Sequence, residues 1–142
     1  MTAEGGHVQR ADRRRRVARV GLVAYGVLLG LSVLPAITPM SFVRLAATWL
    51  REAGASYVRD GWVEVAMNVV MFTPFAMLLI LSSRWRPFVG LAIACATSVT
   101  IELVQLALPG RVASARDVAA NVLGAVIGYA IARLILWLER RT

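Results

Sequence analysis

The sequence predicts an all-α membrane protein: a four-transmembrane-helix bundle with an outer-face amphipathic helix between spans one and two. Three observations predict it. Hydrophobic residues make up 58% of the 142, more apolar surface than a soluble domain of this size keeps in solution. They collect in four stretches, about 17–37, 62–81, 88–108 and 118–138, each near the ~20 residues that a hydrocarbon core ~30 Å thick requires. The basic residues, 16 arginines and no lysine, are divided unequally between the two ends of those stretches.

That division sets the topology. Arg10, Arg13–Arg16 and Arg19 precede span one, Arg84 and Arg86 lie between spans two and three, and Arg133, Arg140 and Arg141 close the chain. Arg44, Arg51, Arg59, Arg111 and Arg116 fall on the other side. Cytoplasmic loops carry the arginine excess, so both termini are expected in the cytoplasm of a multi-pass cell-membrane protein. The net charge of +8 therefore reads as topology, and no nucleic-acid partner is expected.

Residues 1–16 form a basic cytoplasmic tail, expected to be disordered or to rest on anionic headgroups; 17–142 form one transmembrane domain. The first apolar run exceeds the 7–15 residues of a signal-peptide core and no A-x-A site follows, so it reads as a retained span. It contains Gly26-x-x-x-Gly30, a spacing that permits close helix approach, and Pro35 and Pro39 end it. In helical projection Phe42, Leu45, Ala46, Trp49, Leu50 and Ala53 share a face, with Arg44 and Arg51 opposite. A helix on the outer leaflet anchored by Trp49 and a helix capping the bundle both fit that pattern. Ala53-Gly54-Ala55-Ser56 breaks it before the chain re-enters at Asp60.

The loop at 82–87 is short enough to make spans two and three antiparallel neighbours. Pro74 lies inside span two and removes one backbone hydrogen bond, which Thr73 could offset by donating to the freed carbonyl. Pro109-Gly110 ends span three, and Ser114-x-x-Asp117 reads as a capping box opening span four.

Polar residues within the spans converge on one leaflet. Glu64 and Asn68 share a face of span two; Ser98, Glu102 and Gln105 share one of span three. Asp117, Asn121, Gly124 and Gly128 share one of span four. Ionisable and amide groups in hydrocarbon are expensive and usually functional, so Glu64, Asn68, Glu102, Gln105, Arg111, Arg116, Asp117 and Asn121 form the candidate polar pocket. Arg111 or Arg116 can neutralise Glu102 or Asp117. The structural alternative is a lock between Glu102 and Arg111 or Asn121, with Asn68 and Asn121 as interhelical hydrogen-bonders. Gly26, Gly30, Pro74, Gly124 and Gly128 are the expected helix-packing positions.

Asn68-x3-Phe72-x-Pro74, then Glu102-x2-Gln105, then Arg111 followed by Asp117-x3-Asn121-x2-Gly124-x3-Gly128 resemble the VanZ-like membrane family over about residues 60–132. Its pattern is departed from in two places. Ala76 stands where a glycine often follows the proline, and Ser114 and Arg116 occupy a loop where relatives often carry aspartates. The family is named for a small membrane protein associated with resistance to teicoplanin, a lipid-tailed glycopeptide antibiotic. The resemblance implies Asn68, Glu102, Gln105, Arg111, Asp117 and Asn121 as a shared core.

The expected function is that of a cell-envelope membrane protein whose outer-leaflet pocket engages an envelope lipid or an amphiphilic antibiotic. A small oligomeric transporter or exchanger using Glu102, with Gly26 and Gly30 at an oligomer interface, is the alternative; a scaffold is the third reading. No enzymatic activity, metal or cofactor is expected. Cys95 stands alone mid-span, the single histidine, His7, lies in the tail, and no serine or cysteine has a plausible base beside it.

Overall fold

The computed structural model describes residues 3–33, 39–108 and 114–141, all in helices and short connections, with no strand among them. The helices are α1 (Ala3–Val33), α2 (Pro39–Glu52), α3 (Asp60–Ser82), α4 (Pro87–Leu106) and α5 (Ala115–Glu139). Three of them, α3, α4 and α5, are long and apolar enough to cross a membrane. Each covers one predicted apolar stretch. Large apolar side chains such as Val70, Leu103, Leu123 and Leu134 point outward, while the interior is built of small ones. This inverts the arrangement of a water-soluble bundle.

The centre is an alanine contact. Ala76, Ala94 and Ala125, from α3, α4 and α5, are each fully buried against one another. Small residues let helix backbones approach where lipid removes the hydrophobic drive for association. The most extensive contact joins α3 to α5. A Cβ on Gly124 would lie 2.4 Å from the Val69 carbonyl oxygen, and one on Gly128 would lie 2.3 Å from that of Thr73. Both numbers rise together, so α3 and α5 run parallel. Helix α4 runs antiparallel to both: Gly90 faces Ile80 near one end, and Ala94 meets Ala76 further along. Its buried stripe is Gly90, Ala94, Ser98 and Glu102.

Helix α1 lies antiparallel along α3. Ala18 packs with Ile80 and Leu81, Gly21 faces Leu78, and the Tyr25 hydroxyl donates to the Met71 carbonyl at 2.9 Å. Of the two expectations for residues 1–16, disorder is overturned, because helix α1 begins at Ala3. Long-range pairing holds it there: Arg14 bonds Glu139 at the end of α5, and Arg19 Nε donates to the Ser82 carbonyl at 3.3 Å. A cation at the carboxyl end of α3 also suits the helix dipole. Pro35 lies outside the described residues, as does the last part of the predicted first span.

Helix α2 buries Val43 and Ala47 against Val63 at the start of α3, with Ala46 alongside. Leu45, Trp49 and Leu50 stay exposed. The buried edge is therefore rotated from the predicted apolar face, most of which remains free. Gly54 (φ 101°) lets the chain reverse, and Ala55 N–H donates to the Leu50 carbonyl at 2.9 Å. Arg51 then latches the turn, donating through Nε to the Val58 carbonyl at 3.1 Å and pairing with Asp60.

Pro74 sits within a continuous α3. Thr73 Oγ1 donates to the Val69 carbonyl at 2.8 Å and not to the carbonyl of Val70, which the proline frees. The hydroxyl reaches the acceptor four residues before its own position, and Pro74 is one residue later.

Candidate functional site

The start of α3, the end of α4 and the start of α5 meet at one end of the bundle. Helix α5 begins at Ala115 with Ser114 as its N-cap residue, but the Ser114 side chain makes no capping bond. The capping-box expectation fails for a visible reason. The Ser114 backbone N–H instead donates to Glu102 Oε2 at 3.0 Å. The Asp117 N–H donates to the Ser114 carbonyl at 2.9 Å and not to the serine hydroxyl oxygen.

Glu102 is only 7% exposed. Its bond to the loop amide anchors the α4–α5 connection to α4. Arg111 lies outside the described residues. Asp117 meets the like charge of Glu102 across the α4–α5 contact and the opposite charge of Arg116 beside it. Arg116 also reaches back to α3, pairing with Glu64 at 2.9 Å. Its guanidinium lies over Gly61, where a Cβ would come within 3.0 Å of it. Two ties thus close this end: Arg116 joins the start of α5 to Glu64 on α3, and Glu102 joins α4 to the Ser114 amide.

Asn121 is buried on the α5 face that also carries Gly124 and Gly128. Gln105 is half-buried near the end of α4. Ser98, one turn below Glu102, is fully buried. Among the described residues Ser98 Oγ, Asp117 Oδ1 and Asn121 Oδ1 are buried with no hydrogen-bond partner. Buried polar atoms normally find partners, and in hydrocarbon the cost of leaving one alone rises. The site holds unspent acceptor capacity.

The packing positions divide. Gly124 and Gly128 sit against the α3 backbone, and Pro74 directly follows the second of the two carbonyls they meet, that of Thr73. Among the described residues Gly26 and Gly30 meet nothing within 4 Å. The partner they lack is geometric: α3 approaches α1 through Ala18, Gly21 and Tyr25, one face away. Sequence reasoning missed the Ser114 amide, because a backbone donor leaves no residue-type signal. It also missed the Arg51–Asp60 latch, which joins two residues on either side of a turn.

The three helices thus bring Asn68, Glu102, Asp117 and Asn121 to one end above a glycine-lined α3–α5 seam, and the VanZ/LLP1 family model matches residues 9–136. The chain belongs to the VanZ/LLP1 family. No curated protein and no solved structure matches it. The family match begins within the helical arginine-rich part of α1 and ends near the carboxyl end of α5. The VanZ/LLP1 chain therefore includes the α1–α3 packing as well as the polar end.

Proposed function

We propose that this VanZ/LLP1 protein is a four-span protein of the bacterial cell membrane, with cytoplasmic termini and its polar end facing outward. There it recognises an amphiphilic envelope ligand without catalysing a reaction and contributes to resistance to lipid-tailed glycopeptides. The apolar part of α1 lies along α3 and supplies the fourth span. The arginine-rich ends of α1 and α5 and the α3–α4 turn lie together, as positive-inside orientation requires. At the other end α2 keeps Leu45 and Trp49 exposed, the composition of an interfacial helix.

The observation that carries the reading is the set of partnerless buried acceptors on Ser98, Asp117 and Asn121 beside a buried Glu102. Such groups suit a ligand rich in amide and ammonium donors, and Arg116 at the rim suits a carboxylate or phosphate. The test is teicoplanin against vancomycin susceptibility in a sensitive bacterial host, with wild type and Glu102→Gln expressed to equal levels. Protection selective for teicoplanin and lost in the variant is the expected result. Equal susceptibility with and without the properly inserted protein would remove the resistance role.

A further inference from the structure

The opposite end of the bundle holds a second site. A cavity of about 1030 Å³ lies between the start of α1, the α3–α4 turn and the end of α5, at the upper limit of the ~300–1,000 Å³ common for small-molecule sites. Arg10, Arg13, Arg14, Arg15, Arg84 and Arg140 line it. Among the described residues two carboxylates face these arginines. Glu139 lines the cavity and pairs with Arg14; Asp12 lies 3.4 Å from Arg15 and 3.9 Å from Arg84. Six guanidinium groups against two carboxylates leave four positive charges in excess.

Two of those arginines point to a ligand. Arg14 Nε and Arg15 Nε are buried with no hydrogen-bond partner among the described residues. A buried N–H without an acceptor loses its hydration and gains nothing in return, and the forked donors of a guanidinium suit a phosphate bidentately. Across the cavity the wall is apolar, formed by Ala18, Leu78, Leu81 and Leu136. A free phosphate has no use for that wall. An acyl chain does, and the cavity lies at the ends of membrane-crossing helices, where headgroups sit.

We infer that this cavity binds an anionic phospholipid, its phosphate held by Arg14 and Arg15 and its acyl chain laid along Leu78, Leu81 and Leu136. The lipid ties the start of α1 to the α3–α4 turn and the end of α5, a junction otherwise held by Arg14–Glu139 and Arg19–Ser82. The excess charge selects a net-negative headgroup over a zwitterionic one.

The test is native mass spectrometry of the full chain in nonionic detergent, titrated with phosphatidylglycerol or phosphatidylcholine. Arg13→Gln/Arg15→Gln is compared with Arg16→Gln/Arg133→Gln, which removes the same charge outside the cavity. Phosphatidylglycerol is expected to bind the wild type in preference to phosphatidylcholine. The cavity variant is expected to lose about tenfold in affinity and the control less than about twofold. Should the first variant fail to fold, Arg10→Gln/Arg13→Gln, both exposed, carries the same expectation. Equal loss in cavity and control variants would overturn the proposal in favour of diffuse surface attraction. Full displacement by millimolar inorganic phosphate would overturn it in favour of a free-phosphate site.

Discussion

The chain contains the same five-residue pattern twice, and the two copies meet opposite surroundings. Gly124-x-x-x-Gly128 lies against backbone: added Cβ atoms would fall 2.4 and 2.3 Å from the carbonyl oxygens of Val69 and Thr73. At Gly26-x-x-x-Gly30 an added Cβ would meet nothing within 4 Å among the described residues. The spacing permits close approach but does not create it. What α3 supplies to α5 is close-lying backbone at Val69 and Thr73, flanked by Phe72 and Ala76, whereas α1 reaches an α3 carbonyl through the Tyr25 side chain. At that separation glycine Cα–H groups can contact carbonyl oxygens directly. The contact continues upward into Asn121 and Asp117, so the seam also sets the height at which the polar end closes.

The largest test of this contrast is a side chain placed in the seam. Gly128→Val would drive two methyl groups into the Thr73 carbonyl and the backbone at Met77, and neither can move without displacing α3. A loss of about 3 kcal/mol is expected, toward the upper end of overpacking penalties. Thermal unfolding in detergent micelles reads it as a large drop in Tm, together with reduced membrane abundance. A Gly128→Val protein as stable as wild type would mean that the two helices do not meet through this face.

The polar end offers the next largest effect. Glu102→Leu leaves the Ser114 N–H without its acceptor in a buried position, and a loss of about 1–3 kcal/mol is expected. Glu102→Gln retains a carbonyl oxygen for that N–H and should stay within about 0.5 kcal/mol of wild type. The pair separates architecture from recognition: a change in susceptibility with Glu102→Gln, at unchanged stability, belongs to ligand contact. Similar unfolding midpoints for the two variants would show that the Ser114–Glu102 bond contributes nothing to the fold.

Arg51 and Asp60 provide a smaller effect because both side chains are about half exposed. Arg51→Ala should cost about 0.2–1 kcal/mol, with the difference shrinking as salt is raised. Unfolding at low and high ionic strength checks the prediction. A loss that does not respond to salt would assign the Arg51 contribution to its bond with the Val58 carbonyl.

Three of the helices and the grouping of Glu64, Asn68, Glu102, Asp117 and Asn121 were legible in the sequence because apolar length and helical spacing encode both. The parallel α3–α5 seam was partly legible: Gly124 and Gly128 announce a close approach, but not to which helix. What escaped was non-local. Ser114 and Asp117 have the spacing of a capping box, yet a carboxylate twelve residues earlier takes the Ser114 amide. The arginines before Val17 have the composition of a disordered tail, yet Glu139, at the far end of the chain, draws Arg14 into a folded helix. In each case an ionic or backbone partner distant in sequence outweighs the local pattern.

The smallest expected effect completes the comparison of the two glycine pairs. Gly26→Val/Gly30→Val adds side chains where nothing lies within 4 Å, so the stability of the isolated chain should change by no more than about 0.5 kcal/mol. Because close approach needs a second backbone, a second copy of the chain is the natural place to find one, and the same variant reports on it. Crosslinking or light scattering in mild detergent should then show a loss of self-association while unfolding stays unchanged. If unfolding shifts as far as it does for Gly128→Val, α1 packs through its glycines after all and the asymmetry between the two pairs disappears. If neither property moves, the first pair is a helix face turned to lipid, and the motif acts only where α3 presents its carbonyls.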